Sequence, residues 1–220
     1  MSLKEIVTKL HTSTKRDYLA RVNSVDKAWA AEKAGQWGYD YWDGSRDTGY
    51  GGYKYDGRWR SVAQDLIDIY SLNDGAKILD VGSGKGFLLH DMKNINPSFQ
   101  VYGLDISRYA IEHSMDDIRP NCIEGCASEL PYSDNEFDLV ISINTLHNLN
   151  LNKLWSALAE INRVSKQHQY LCVEAYRNET EKANLLYWQL TCRAFFSPED
   201  WEFLFDKVGY TGDFEYIFFE

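Results

Sequence analysis

Between residues 78 and 87 the chain reads ILDVGSGKGF, an apolar run that breaks into glycines at 82, 84 and 86, two residues behind Asp80. Glycines at this spacing let backbone approach a ligand closely, and a helix beginning near Phe87 offers free N–H groups in its first turn. A dinucleotide fingerprint, Gly-x-Gly-x-x-Gly, would need glycine where Phe87 stands. A short-chain reductase would also need a Tyr-x-x-x-Lys pair downstream, whereas Tyr50–Lys54 lies upstream of the loop. A Walker-type phosphate loop is absent. Three further polar groups stand at the ends of apolar runs: Asp105 closes QVYGLD, His147 follows FDLVISIN, and Glu174 lies in QYLCVEA. An acid suits hydroxyl recognition, and a histidine or a second acid suits proton transfer. Cys122, Cys126, Cys172 and Cys192 have no paired metal spacing, so they read as small core residues and no metal is expected.

Those groups need elements to hold them. KILDV (77–81), QVYGLD (100–105), NCIEG (121–125), FDLVISIN (137–144) and QYLCVEA (169–175) are short apolar runs of the kind buried in a parallel sheet. Helical spacing separates most of them. GRWRSVAQDLIDIY places Trp59, Val62, Ala63, Leu66 and Tyr70 on one face, and LNKLWSALAEINRV does the same with Leu151, Leu154, Trp155, Leu158 and Ile161. SPEDWEFLFDKVG carries a capping serine (Ser197), Pro198, Asp200 and a terminating Gly209. The expected fold is an α/β, Rossmann-like doubly wound sheet, mostly parallel, with helices on both faces and binding sites at the carboxyl ends of its strands.

The stretch Asp80–Gly86 resembles the first motif of class I S-adenosylmethionine-dependent methyltransferases. YGLDIS (102–107) is similar to the family's second strand end, and EGCASELPYSDNEFDLVISINTLHNL (124–149) to the third and fourth motifs of the Gly-Asp-Ala, Leu-Pro, Leu-His branch. The resemblance runs in order over roughly residues 57–175 and implies S-adenosyl-L-methionine as cofactor. It assigns cofactor binding to Asp80, Gly82, Ser83, Gly84, Gly86, Asp105, Ile106, Cys126, Ala127 and Asn144. Asp105 would hold both ribose hydroxyls, with Ile106 against the adenine. Cys126 replaces the branch's usual aspartate, and a thiol is a poor acceptor for the adenine amine. Ala127 can still offer a backbone N–H. His147, Glu174 and Tyr53 are the candidate catalytic residues, with His147 the first choice of base. The family usually ends its sheet in a hairpin, but one strand (Asp213–Phe219) follows the Ser197 helix, so NLLYWQLTCRAFF (184–196) is left as either the missing strand or a cover for the substrate.

Ahead of the regular part, GYDYWDGSRDTGYGGYKYDGRW (38–59) mixes rings with glycine and aspartate. Family members commonly fold such extensions over the methionine end of the cofactor, which implies a lid within residues 1–56 and a catalytic domain over 57–220. The other reading is a satellite hydrophobic cluster under a long loop. With 220 residues, 44% of them hydrophobic, the chain can bury a core, and a net charge of −10 opposes binding to nucleic acid. No run is long enough to span a membrane, and the start lacks a signal-peptide pattern, so a cytoplasmic protein is expected. The motifs of nucleic-acid amino-methylating, cytosine C5 and metal-assisted catechol enzymes are absent. A small polar metabolite or sugar derivative is therefore the expected methyl acceptor. A non-catalytic S-adenosylmethionine-binding partner and a nicotinamide-dependent reductase are the alternatives.

Overall fold

The computed structural model describes residues 1–13 and 16–220. Its centre is one six-stranded sheet in the order β3-β2-β1-β4-β5-β6, with every pairing parallel. The strands are β1 (Lys77–Val81), β2 (Gln100–Asp105), β3 (Cys122–Glu124), β4 (Phe137–Ile143), β5 (Ser165–Glu174) and β6 (Asp213–Ile217). Among the described residues, five helices precede β1: α1 (Thr8–Thr12), α2 (Tyr18–Asn23), α3 (Lys27–Ala34), α4 (Tyr39–Trp42) and α5 (Arg60–Ile69). Helices α6 (Phe87–Ile95), α7 (Arg108–Glu112), α8 (Leu151–Val164), α9 (Glu179–Trp188) and α10 (Pro198–Val208) come after it. This is the doubly wound, Rossmann-like architecture that the strand–helix alternation predicts.

Successive strand residues point to opposite faces, so each run of apolar residues feeds two cores. Ile78, Ile141 and Tyr170 pack with Leu66, Leu89 and Met92 of α5 and α6. Leu79, Val140 and Leu171 pack on the other face with Leu158, Ile161, Trp201 and Phe205 of α8 and α10. The buried stripe of α8 is Leu154, Ala157, Leu158, Ile161 and Val164, whereas Leu151 and Trp155 of the expected face are exposed. Residue 155 lies about 100° around the helix from 154, which carries it off the stripe. Helix α10 has the anticipated capping box between Ser197 and Asp200 and ends at a left-handed Gly209.

The sheet's far edge is closed without a hairpin. Strand β6 runs parallel to β5, and residues 184–196 form the end of α9 and an irregular segment rather than a strand. The chain's own start covers the edge instead. Leu3 bridges Phe214 in parallel, the Lys4 N–H donates to the Phe214 carbonyl (2.8 Å), and the Phe214 N–H donates to the Ser2 carbonyl (3.1 Å). Beyond this bridge, Glu215 is 1% exposed and accepts the N–H groups of Ile6 (2.6 Å), Val7 (3.0 Å) and Thr8 (2.5 Å), together with the Tyr170 hydroxyl. Ile6 and Val7 are buried in the α5–α6 core. The first part of the N-terminal extension is thus built into the sheet, while its later part, residues 37–59, lies over the strand ends.

Removing the Glu215 carboxylate strands several buried donors. Glu215→Ala is expected to cost about 3 kcal/mol of stability in urea unfolding, the scale of a broken buried charged network. Deleting residues 1–8 should cost a similar amount. A shift below 1 kcal/mol would mean that the N-terminal segment contributes little to the edge.

Candidate functional site

The strand order reverses at β1, which lies between β2 and β4. At that point the carboxyl ends of the strands open into a crevice. Strand β1 delivers Asp80 and then turns through Gly82 (φ 87°) and Gly84 (φ 54°). A Cβ on Gly82 would lie 1.9 Å from the Thr145 hydroxyl, and one on Gly84 would lie 2.7 Å from the Trp42 ring. Both the left-handed backbone and the close packing demand glycine. Asp105, at the end of β2, holds the loop open. One of its oxygens accepts the Gly84 N–H (2.7 Å) and the other the Ser107 N–H (2.8 Å). A carboxylate has about four acceptor positions, so Asp105 can accept two more donors. Asp80 is 5% exposed, and its Oδ1 has no hydrogen-bond partner among the described residues. Burial, helped by the Asp105 charge, pushes Asp80 up to about 7. Burial also raises Asp105, against the opposing pull of its two N–H donors.

The aromatic segment packs directly onto this loop. Trp42 sits against Gly84, and its Nε1 donates to the Ser107 hydroxyl (2.9 Å) and the Trp37 carbonyl (3.2 Å). Trp42 stacks on Tyr50 at 5.4 Å, and Tyr53 stacks on Phe87 at 4.8 Å. Trp37 has φ 53°, an uncommon conformation for a bulky side chain and one held here by its packing and hydrogen bonds. Beneath the rings, Lys85 of the glycine loop is 5% exposed. Its Nζ donates to both oxygens of Asp43 (2.7 Å each) and to the Tyr53 carbonyl (2.9 Å). The Tyr109 hydroxyl also donates to Asp43 (2.8 Å). Burial would raise Asp43, but the bonds from Lys85 and Tyr109 outweigh it and hold the carboxyl below the ordinary range.

Two adjoining chambers result. The first, of about 350 Å³, is lined by Tyr53, Asp80, Gly82, Ser83, Gly84, Asp105, Ile106, Cys126, Ala127 and Asn144, under the Trp42 and Tyr50 rings. The second, of about 340 Å³, shares Tyr41, Tyr50, Tyr53, Phe87 and Asn144 as its wall and is lined beyond them by His147 and Glu174. Nearly all the residues expected to hold a cofactor therefore surround the first chamber. Gly86 stands behind it at the N-cap of α6, where a Cβ would strike Ile118 at 2.2 Å. Tyr53 and Asn144 border both chambers, and Asn144 takes a left-handed conformation (φ 55°) at the end of β4. Cys126 Sγ lies 3.0 Å from the Ser128 hydroxyl.

In the second chamber, His147 Nε2 lies 3.3 Å from Glu174 Oε2, with both side chains buried. The Glu174 N–H points at His147 Nδ1 (3.4 Å), and Gln189 Nε2 donates to Glu174 Oε1. Burial raises Glu174 to about 8 and depresses His147 to about 3. The Arg193 and Ala194 N–H groups donate to the His147 carbonyl at 2.8 and 2.9 Å. The segment whose role the sequence leaves open thus forms a wall of this chamber, contributing Gln189, Leu190 and Thr191.

Asp43, Lys85 and Trp42 carry no site pattern in the sequence. Asp43 and Lys85 are 42 positions apart, and no periodicity joins them. A lysine inside the glycine run was the only available signal.

The first chamber suits a cationic nucleoside. It offers an unpartnered buried carboxylate oxygen, an acid able to accept two hydroxyls, and a backbone cradle that a side chain would fill. The pyrophosphate of a dinucleotide would meet Asp80 and Asp105, with Lys85 already committed to Asp43.

Residues 79–173 match the family model described as a methyltransferase domain. The chain is 31% identical over 131 residues to demethylmenaquinone methyltransferase of Renibacterium salmoninarum, covering 56% of this chain and 49% of that protein. It is 36% identical over 74 residues to ribosomal RNA small subunit methyltransferase C of Aliivibrio fischeri, covering 32% of this chain and 22% of that one. The chain thus spans half or less of the length of these two relatives. Among solved structures, a SAM-dependent methyltransferase from Aquifex aeolicus superposes with a TM-score of 0.50 at 19% identity, covering 67% of this chain and 78% of the other. Residues 79–173 thus carry a methyltransferase domain, on a fold shared with that solved methyltransferase.

The Lys85–Asp43 pair makes the roof testable. Asp43→Asn leaves a buried ammonium without its carboxylate and should cost about 2–3 kcal/mol. Amide exchange should quicken across residues 37–59 while the amides of β1 and β4 remain protected. Because Asp43 titrates below the ordinary range, its contribution is present at neutral pH and lost only as acid protonates it. Unchanged exchange in the variant would show that the rings alone hold the roof down.

Proposed function

We propose that this protein transfers a methyl group from S-adenosylmethionine to a small polar molecule held in the second chamber, without a metal. The observation that carries this reading is the shared wall. A chamber suited to the donor and a chamber holding a buried acid of raised pKa meet at Tyr53 and Asn144. The roofed second chamber has room for a metabolite-sized group, and the net charge of −10 disfavours a polynucleotide.

S-adenosylmethionine, when bound, supplies an activated methyl group on a sulfonium. The residues that would hold it are Asp80, facing its ammonium, Asp105, accepting its ribose hydroxyls, and the Gly82–Gly84 backbone. The rings of Trp42, Tyr50 and Tyr53 exclude water, and the faces of such rings favour a cation. Tyr53 is raised far above the ordinary phenol range by burial, so it acts as a donor and a wall rather than as a base.

The proton of a hydroxyl or amine acceptor would pass to Glu174. Its Oε2 faces His147 Nε2 at 3.3 Å and accepts no other hydrogen bond among the described residues. The Glu174 N–H directed at His147 Nδ1 leaves the imidazole proton on Nε2, facing the Glu174 carboxyl. His147 then orients Glu174 and stabilises its charged form. Sequence position alone favours His147 as the base, but burial keeps its affinity for a proton low.

Two measurements test this reading. S-adenosylhomocysteine should bind to the full chain in titration calorimetry, and NADH should not. Below about pH 7, Asp80 of the free protein holds a proton that a cationic ligand must expel, so affinity should rise with pH up to about 7 and then level off. Asp80→Asn should flatten that dependence. A pH-independent wild type would remove Asp80 from the ammonium site. Once an acceptor is in hand, the methyl-transfer rate should climb with pH through about 8, because Glu174 must be ionised to work as a base. Glu174→Gln should lose roughly 10²-fold or more and the pH dependence with it. His147→Ala should retain cofactor binding while slowing transfer. Full-speed transfer by Glu174→Gln would leave alignment of the acceptor as the whole mechanism.

A further inference from the structure

We propose that the second chamber carries an oxyanion site, formed by the guanidinium groups of Arg16, Arg21 and Arg46 around Trp188, and that the methyl acceptor bears a carboxylate or phosphate group. The proposal rests on the reading of this chamber as the acceptor site.

Three separate parts of the chain build this cluster. Arg16 and Arg21 lie in and just before α2, Arg46 comes from the roof segment, and Trp188 closes α9. The three guanidinium carbons lie 5.3, 5.9 and 5.4 Å from the centroid of the one Trp188 ring, and all three side chains line the second chamber. An aromatic face orients planar guanidinium groups and offsets part of their lost hydration. It does not cancel their mutual repulsion. Burial holds Arg16 and Arg21 below the ordinary arginine range, and the charge of Arg46 adds to this in both.

Among the described residues, the negative charge beside Arg21 and Arg46 does not balance these two groups. Asp47 approaches Arg21 only to 3.9 Å and is itself 45% exposed. Asp56 is engaged by Arg58, its neighbour in the same chamber wall. Glu174 is held neutral by its burial at pH values below about 8. Lys54 also lines the chamber and meets no carboxylate within ion-pair distance among the described residues. A concentration of positive charge therefore lines one cavity of a protein whose net charge is −10.

Backbone carbonyls fix the arginines in place. Arg21 Nη1 donates to the Arg46 carbonyl (2.6 Å), and Arg46 Nη1 donates to the Tyr50 carbonyl (2.9 Å). A guanidinium has more donors than one carbonyl can use, so Arg21 and Arg46 keep N–H groups for a ligand. Such preset forks match the two oxygens of a carboxylate or phosphate. An oxyanion seated there would draw Arg46 and the roof segment towards Trp188, placing the rest of the acceptor between the cluster and Glu174.

The test uses the full chain, alone and loaded with S-adenosylhomocysteine, titrated calorimetrically with sodium phosphate and with sodium malonate at low ionic strength. At least one probe should bind, with an affinity that falls as sodium chloride is added. Arg46→Gln alters an exposed side chain and should weaken binding about tenfold, the scale of one charge-assisted hydrogen bond. Arg46→Glu should abolish it. Lys207→Gln, on the distant surface of α10, should change nothing. Preference for phosphate would assign a phosphorylated acceptor, and preference for malonate a carboxylate. Failure of both probes in both states would overturn the site, as would equal binding by Arg46→Gln and wild type. Arg46 does not line the first chamber, so S-adenosylhomocysteine affinity should survive Arg46→Gln. Loss of cofactor binding in the wild-type chain would instead overturn the donor reading, while the phosphate and malonate titrations of the unloaded chain would still decide the anion site.

Discussion

A lysine ammonium with almost no exposure to water needs a carboxylate beside it, and this requirement organises the site. Lys85 is part of the glycine loop, while Asp43 belongs to the end of α4. Their pairing fastens an otherwise irregular segment across the strand ends. Trp42, one residue before Asp43, is thereby set against Gly84, and Tyr53, whose carbonyl also binds Lys85, is set against Phe87. The glycines thus serve two purposes. They bring backbone close to a ligand from below and admit a tryptophan from above. A side chain at Gly82 would strike Thr145, and one at Gly84 would strike Trp42 of the roof.

The two chambers differ in charge. Asp80 and Asp105 are both buried at the strand ends, and the Asp105 charge disfavours ionisation of Asp80. A positively charged ligand relieves that conflict, whereas a pyrophosphate would deepen it. Across the wall of Tyr53 and Asn144 the balance reverses, with guanidinium groups gathered around Trp188 and the one nearby buried acid kept protonated. In the roles proposed for them, a donor chamber and an acceptor chamber of opposite preference would sort two ligands into two places before any chemistry takes place.

The edge of the sheet shows how the chain uses its own ends. A family member with a terminal hairpin satisfies its last strand internally. Here β6 is parallel and would leave an open ladder, so residues 2–4 add to it and Glu215 gathers the N–H groups that follow. The same arrangement brings α1 against β6 and α2 alongside α9, which is how Arg16 and Arg21 come to share a cavity with His147 and Glu174.

Much of this was legible in the residues themselves. The first five strands, the helices between them and the capping box at Ser197 follow from short-range patterns, because apolar spacing and cap chemistry act over a few residues. The positions of the glycine loop, Asp80 and Asp105 are legible for the same reason, since a turn after an apolar run and an acid at its end are local patterns. His147 and Glu174 could be named as neighbours, but their division of labour could not. Burial sets the proton affinity of each, and burial is a property of everything packed around them. The spacing of five apolar residues in α8 fits more than one face, and only packing decides that Leu151 and Trp155 stay exposed. The Lys85–Asp43 pair, the N-terminal strand at the edge and the arginines around Trp188 join residues tens to hundreds of positions apart. No periodicity encodes such meetings. They are fixed only when the sheet, its helices and the two ends of the chain are packed against one another.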